Sequence, residues 1–151
     1  MNESSGTIID YSGSGNNGNA FGVVYGEEGL FGDALYFDGS SSVSTPLNID
    51  QSSTSVGVTM EAWVYPTSIS GGRHHVISSD DGGYDWSILR EGGTWHVFTG
   101  EGSRSTGFSV DVNQWQHIVA VFIPGEGVKF YENGDEVTIP YIGYDGGDNN
   151  L

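Results

Sequence analysis

The sequence has no cysteine and only four basic residues, and each shortage excludes a class of protein. Without cysteine there is neither a disulfide framework nor a thiolate metal site. Four Lys and Arg against 20 Asp and Glu give a formal net charge of −16. Such a chain lacks the clustered cations that bind nucleic acid phosphates or anionic lipid headgroups. We therefore expect neither nucleic acid nor a membrane surface as a partner.

Long apolar runs are also missing. No stretch approaches the roughly 18 apolar residues that a membrane-spanning helix needs. No basic segment followed by an apolar one, as in a secretory leader, is visible at the start of the chain. The 151 residues suit one domain, and we treat residues 1–151 as a single unit.

What the sequence does have is glycine and aromatic residues, with 25 Gly and 13% Phe, Trp and Tyr. Apolar residues alternate with a period of two, as in "VTMEAWVYP" (58–66), which indicates β-strands. In this segment the alternation puts Met60, Ala62 and Val64 on one face and Glu61, Trp63 and Tyr65 on the other. "WQHIVAVFI" (115–123) is apolar on both faces and predicts a central strand. Asn133–Gly134 predicts a tight hairpin, and Gly92–Gly93 predicts a second one. The pattern favours an all-β sandwich or barrel.

Five segments in a fixed order resemble the concanavalin A-like lectin/glucanase superfamily, in its laminin G-like form common in bacterial and marine extracellular proteins. They are "DYSGSGNNG", "FGDALYFDG", "VTMEAWVYP", "WQHIVAVF" and "VKFYENG". The resemblance implies an antiparallel jelly-roll β-sandwich. It also implies a glycan-binding or protein-binding module, often with one structural Ca²⁺, appended to a larger secreted or surface protein.

The chain departs from that family at both ends. Members usually open with a strand before the equivalent of residues 2–7 and close with one after "YIGYDGGDNN" (141–150). Neither strand is visible here, so we expect a fragment of a longer protein or a domain that oligomerises through an exposed sheet edge.

The opening loop from Asp10 to Gly18 is rich in oxygen ligands. It holds one Asp, two Asn, two Ser and three Gly in nine positions. Ca²⁺ takes six to eight such oxygens, and the family's motif positions fall on Asp10, Asn16 and Asn17. An EF-hand is excluded, because its twelfth position would be Phe21 instead of Glu. Turns made by Asn and Asp are the alternative explanation of the loop.

A glycan site needs flat aromatic faces and a few oriented polar groups. The predicted hairpin of "YDWSILRE" and "TWHVFTGEG", with two loop tyrosines, offers both. The candidate ligand-binding residues are Tyr84, Trp86, Arg90, Trp95, His96 and Tyr144. The alternative for the tryptophans is core packing. Trp63 and Trp115 match family positions that are largely buried, and His117 is expected to be a core histidine.

Catalysis is not expected. Glycosidases need two carboxylates held close together across a cleft. Glu61 stands alone, and "ENGDE" (132–136) is expected to splay into solvent at a hairpin tip. The favoured function is a non-catalytic carbohydrate-binding module, outside the cell or on a cell or virion surface, with a neutral glycan or a protein as ligand. The alternatives are a protein-interaction or adhesion module of an extracellular or phage assembly and, less favoured, a glycoside hydrolase.

Overall fold

The computed structural model describes residues 3–47, 49, 57–79, 86–99 and 102–140. Every regular element in these ranges is a β-strand, and none of the described residues lies in a helix long and apolar enough to cross a membrane. The strands are β1 (Asn19–Phe21), β2 (Val24–Glu28), β3 (Asp33–Tyr36), β4 (Ser42–Ser44), β5 (Val58–Val64), β6 (Arg73–Ser78), β7 (Trp86–Glu91), β8 (Thr94–Thr99), β9 (Ser103–Ser109), β10 (Gln116–Ile123), β11 (Gly127–Glu132) and β12 (Asp135–Pro140).

The strands divide between two compact units, Met1–Leu47 and Asn48–Leu151. The first unit contains two small antiparallel sheets, β1 with β4 and β2 with β3. A bridge from Ile8 to Gly18 closes the opening loop through two main-chain hydrogen bonds of 3.0 and 2.8 Å. The oxygen-rich segment is therefore held at both of its ends.

The second unit is built from two four-stranded antiparallel sheets. Sheet I has the order β12-β11-β10-β5, and sheet II has the order β6-β7-β8-β9. Both sheets contribute side chains to one apolar core, in which Trp86 of sheet II stacks on Phe122 of sheet I with ring centroids 5.3 Å apart. The shared core makes the second unit a β-sandwich.

Alternation along the strands decides which residues enter that core. In β10, Ile118, Ala120 and Phe122 are buried, while the residues between them are half-buried on the other face of sheet I. β10 is hydrogen-bonded to β5 and β11, which confirms the prediction of a central strand. In β5, Met60 is buried while Glu61 and Trp63 are exposed.

Both predicted hairpins are present. β11 and β12 meet at Asn133 and Gly134, whose φ angles of 50° and 96° suit a type I′ turn. β7 and β8 meet at Gly92–Gly93, with Gly92 at φ 59°. The predicted fold class, an all-β antiparallel sandwich consistent with a jelly roll, is confirmed. The single-domain prediction stays a prediction, and residues 141–151 lie outside the described part of the chain.

Candidate functional site

The opening loop is organised around the carboxylate of Asp10. Its Oδ1 accepts a hydrogen bond from the Ser12 N–H and its Oδ2 accepts one from the Asn16 N–H, each at 2.8 Å. The Asn17 side-chain oxygen in turn accepts from the Asp10 N–H at 2.8 Å. The Ser12 hydroxyl and these main-chain N–H groups hold the pKa of Asp10 below its usual value. The bond from Ser12 is that of an Asx turn, and the bonds with Asn16 and Asn17 span the loop, so protein groups account for the positions of Asp10 and Asn17.

One side-chain oxygen of Glu3 has no hydrogen-bond partner. Glu3 Oε1 accepts from the Ile9 N–H at 3.1 Å, while Glu3 Oε2 is buried without a hydrogen-bond partner. Among the described residues, no group of three Asp, Glu or His side chains is arranged to hold a metal ion. The Ca²⁺ site at Asp10, Asn16 and Asn17 therefore stays a prediction that rests on the resemblance.

Trp86 and Trp95 do not form a ligand-binding surface. They are only 3% and 1% exposed, and both belong to the core of the second unit. Because neither ring presents a face to solvent, neither can stack on a sugar. The prediction of a binding role for these two residues is corrected: they are packing residues, as the alternative for the tryptophans had it.

Arg90 is also structural. Its side chain is buried beside the β5–β6 connection, where Nη2 donates to the Ser70 carbonyl at 2.6 Å and Nη1 donates to the Ile69 carbonyl at 3.2 Å. Burial lowers the pKa of the guanidinium. With its donors directed at main-chain carbonyls, Arg90 ties a loop to sheet II and is not available to a ligand, which corrects the prediction.

His96 lies in a small polar cluster on sheet II. Its Nδ1 is 2.7 Å from the Ser103 hydroxyl and 3.6 Å from Glu91, which also pairs with Arg73 at 3.2 Å. Burial lowers the pKa of His96, and Glu91 opposes that effect. The structure thus separates His96 from the core tryptophans that were predicted to act with it. Tyr84 and Tyr144, the remaining candidates, lie outside the described residues.

An aromatic surface is present elsewhere, on the outer face of sheet I. We call it the aromatic patch and define it as Trp63, Tyr65, Trp115 and His117. Trp63 is 45% exposed and Tyr65 is 43% exposed, while Trp115 and His117 are half-buried. The expectations that Trp63 is largely buried and that His117 is a core histidine are therefore wrong.

The patch consists of two ring pairs. Trp63 lies opposite His117 in the ladder of β5 and β10, and their rings stack with centroids 4.7 Å apart and an interplanar angle of 27°. Tyr65 and Trp115 form the second pair, with centroids 5.4 Å apart and an angle of 58°. Tyr65 directly follows β5 and Trp115 directly precedes β10, so the second pair continues from the last rung of that ladder, Val64 and Gln116.

Polar groups border the patch. Glu61 lies two residues before Trp63 in β5, on the same face of the sheet. Its Oε1 is 2.9 Å from His117 Nε2, and its side chain is 61% exposed. Farther across sheet I, Lys129 pairs with Glu136 at 3.7 Å. The Tyr131 hydroxyl also bonds to Glu136, and this bond raises the pKa of Tyr131. The face therefore combines aromatic rings with a compensated pair, Lys129 and Glu136, and with the exposed carboxylate of Glu61.

The sequence contained the signal for this patch. The alternation in β5 places Glu61 and Trp63 on one face and Met60 on the other, as predicted. What misled the prediction was the assignment of Trp63 to a buried family position. The sequence pattern separates the two faces of a strand, but it does not tell which of them a second sheet covers.

Glu132, which was expected to point into solvent, is instead buried at the end of the sandwich. Gln116 Nε2 donates to its Oε1, and Gln116 Oε1 accepts from the Asp111 N–H at 3.0 Å. Burial raises the pKa of Glu132, the bond from Gln116 opposes this, and the charges of Asp111 and Asp135 add to it. The carboxyl group holds the β9–β10 loop in place.

Comparison with known proteins gives one match. A laminin G-like family model, described as concanavalin A-like lectin/glucanases superfamily, matches residues 35–145. No curated protein and no solved structure matches the chain. The matched range contains every strand of sheets I and II, and with them the aromatic patch, but it does not reach the opening loop.

Proposed function

The chain belongs to the concanavalin A-like lectin/glucanases superfamily, and on that premise we propose that it is a non-catalytic module that binds neutral glycans on the aromatic patch. The superfamily includes enzymes as well as binding domains, so membership alone does not choose between them. The observation that carries the proposal is the presence of two adjacent aromatic ring contacts, Trp63 with His117 and Tyr65 with Trp115, on the solvent-facing side of sheet I.

The chemistry of the patch suits a sugar ring. A pyranose has apolar C–H faces and a rim of hydroxyl groups, so it packs against aromatic faces while its rim forms hydrogen bonds. Trp63 and Tyr65 supply exposed aromatic surface, and Glu61 and His117 supply hydrogen-bonding groups beside it. Pairs of aromatic rings on neighbouring strands also stabilise a sheet, but that role does not require Trp63 and Tyr65 to be exposed to solvent.

The charge of the protein favours a neutral ligand. A net charge of −16 repels polyanions at long range. At short range the exposed carboxylate of Glu61 borders the patch. An anionic polysaccharide would have to overcome both effects without a lysine or arginine within the patch, whereas a neutral glycan meets neither.

Affinity electrophoresis tests the proposal. Gels containing β-glucan, xylan or galactomannan should retard the protein, and Trp63→Ala and Tyr65→Ala should each abolish most of the retardation by the polymer that binds. Phe21→Ala is the matched control, because it removes another strongly exposed aromatic ring in the first unit and should leave retardation unchanged. Equal loss in the control variant, or full retardation of Trp63→Ala, would contradict the assignment.

A protein-interaction module is the second candidate, favoured by the strong exposure of Tyr11 and Phe21 in the first unit. Exposed aromatic residues of this kind mark protein interfaces as well as glycan sites. The two candidates differ in place, since one uses the first unit and the other uses sheet I. A glycoside hydrolase would release reducing ends from the bound polymer and lose that activity in Glu61→Gln; we expect no release.

A further inference from the structure

The hydrogen bond between Glu61 and the patch residue His117 has a defined donor and acceptor. An ionised carboxylate only accepts hydrogen bonds, so His117 Nε2, at 2.9 Å from Glu61 Oε1, must carry the hydrogen. In a neutral imidazole the other nitrogen then has a lone pair, and His117 Nδ1 is an acceptor. The second oxygen of Glu61 is an acceptor as well. Each side chain therefore keeps one acceptor beyond the bond that joins them, and the side chains of His117 and Glu61 are 26% and 61% exposed.

The position of the pair is fixed by the strands. His117 stacks on Trp63, which is directly opposite it in the ladder. The His117 N–H donates to the Asn133 side-chain oxygen, and the Asn133 N–H donates to the His117 carbonyl, each at 2.9 Å. The β11–β12 turn thus anchors the main chain of His117 while Glu61 orients its ring.

Resting on the proposed function, we propose that Glu61 and His117 act as one acceptor unit that makes the aromatic patch select hydroxyl-rich glycans and reject glycans bearing carboxylate or sulfate groups. A sugar hydroxyl can donate to either acceptor. An ionised carboxylate or sulfate on the glycan has no hydrogen to donate, so its oxygens would face acceptors on Glu61 and His117 without forming hydrogen bonds. Its negative charge would also be repelled by that of Glu61. Trp63 supplies affinity for any pyranose, and Glu61 supplies the selection.

The first arm of the test needs no ligand. Imidazole ¹⁵N–¹H spectra, recorded above the pH range in which histidine titrates, should show the Nε2–H tautomer for His117, assigned by its loss in His117→Gln. In Glu61→Gln the new amide can donate to Nε2, so the share of the Nδ1–H tautomer should rise. A His117 that is already Nδ1–H in the unmodified protein overturns the acceptor unit, whatever the protein binds.

The second arm compares matched polymers of one backbone: hydroxyethyl cellulose with carboxymethyl cellulose, and dextran with dextran sulfate. The protein should bind the neutral member about tenfold more tightly or better. Glu61→Gln, of equal size but uncharged, should reduce that preference to about threefold or less, mainly by improving binding of the anionic member.

Glu136→Gln is the control for charge alone. It removes one negative charge from the same face of sheet I, but from β12 and away from His117. Its preference should remain that of the unmodified protein. If Glu136→Gln and Glu61→Gln narrow the preference equally, net charge explains the selectivity and the unit is overturned. If no polymer is bound, or if Trp63→Ala binds normally, the proposed function itself fails, and the tautomer measurement shows separately whether the unit exists.

Discussion

Asp10 shows how one side chain can build a loop. Both of its carboxylate oxygens accept main-chain N–H groups, and its own N–H donates to Asn17. An oxygen-rich sequence predicts either such a turn or a cation site, because both use the same residue types. The hydrogen bonds account for the turn at Asp10, while the Ca²⁺ site at Asp10, Asn16 and Asn17 stays a prediction.

Asp10→Ala should therefore destabilise the protein through the turn. Loss of two charge-assisted acceptors removes bonds that hold the turn, so the thermal midpoint should fall. If the turn alone accounts for the loop, that fall is the same in Ca²⁺ and in EDTA. A Ca²⁺ site would instead add about 2.7 kcal/mol at 100 times its Kd, in the unmodified protein only. A Ca²⁺-dependent rise that Asp10→Ala removes would establish the predicted metal site and overturn the turn account.

Glu132 is a buried carboxyl group whose charge is poorly compensated. Burial raises its pKa above 4.5, so the folded state binds this proton more tightly than the unfolded state does. Its contribution to stability is then present below pH 4.5 and is lost as the pH rises through the folded pKa. At neutral pH the folded protein bears the desolvation of the charged form.

Glu132→Gln should be more stable than the unmodified protein at pH 7. It keeps an acceptor for Gln116 but removes the buried charge. The advantage should shrink as the pH falls toward 4.5, and urea unfolding at a series of pH values measures it. Glu136→Gln should behave oppositely, because the hydrogen bond from Tyr131 lowers the pKa of Glu136. A destabilised Glu132→Gln at pH 7 would show that its charged form is the stabilising one.

At this scale the sequence was a partial guide. It placed Glu61 and Trp63 on one face of β5 correctly. It could not show that Trp86 and Trp95 enter the core while Trp63 does not, because all three lie in strands of similar composition. Burial of one face depends on the sheet packed against it, which is a non-local fact.

At the level of elements, a comparison of two glycines distinguishes the effect of an unusual backbone angle from the effect of close packing. Gly57 and Gly134 have φ angles of 81° and 96°. A Cβ on Gly57 would lie 2.4 Å from the Phe122 carbonyl oxygen of the neighbouring strand, whereas a Cβ on Gly134 would meet nothing within 4 Å. At position 134 glycine is required only by the positive φ angle. At position 57 it is required both by the positive φ angle and by the close approach of the chain to β10.

We expect Gly134→Ala to cost about 1 to 2 kcal/mol, which is the cost of a left-handed backbone alone. Gly57→Ala should cost clearly more, because β5 must also move away from β10, which displaces Trp63 from His117. Urea unfolding gives the two free energies. An equal loss in both variants would show that the first residues of β5 relax without disturbing the sheet.

The elements themselves were the most predictable level. The Asn133–Gly134 hairpin and the Gly92–Gly93 hairpin follow from local turn chemistry, which a short segment fully contains. The burial of Glu132 was not predictable from its neighbours in the chain. It depends on Gln116, which is distant in sequence and reaches Glu132 only through the ladder of β10 and β11.

For the whole molecule, composition and periodicity were sufficient to predict the fold class. Abundant glycine, alternating apolar residues and recurrent turns all indicate an antiparallel sandwich, and the family match over residues 35–145 agrees. The candidate site was harder to predict from the sequence, because its position depends on which face of the sheet remains exposed to solvent. The proposed function therefore rests on the four rings of the aromatic patch more than on the fold.

The four tryptophans allow the most direct test of that claim. Two of them, Trp63 and Trp115, belong to the patch, and two, Trp86 and Trp95, are buried in the core. Their indole ¹⁵N–¹H signals can be followed during titration with soluble oligosaccharides of the polymer that retards the protein. The account predicts saturable shifts of the Trp63 and Trp115 signals with those of Trp86 and Trp95 unmoved. Shifts confined to Trp86 or Trp95, or saturable binding that leaves Trp63 unmoved, would contradict it.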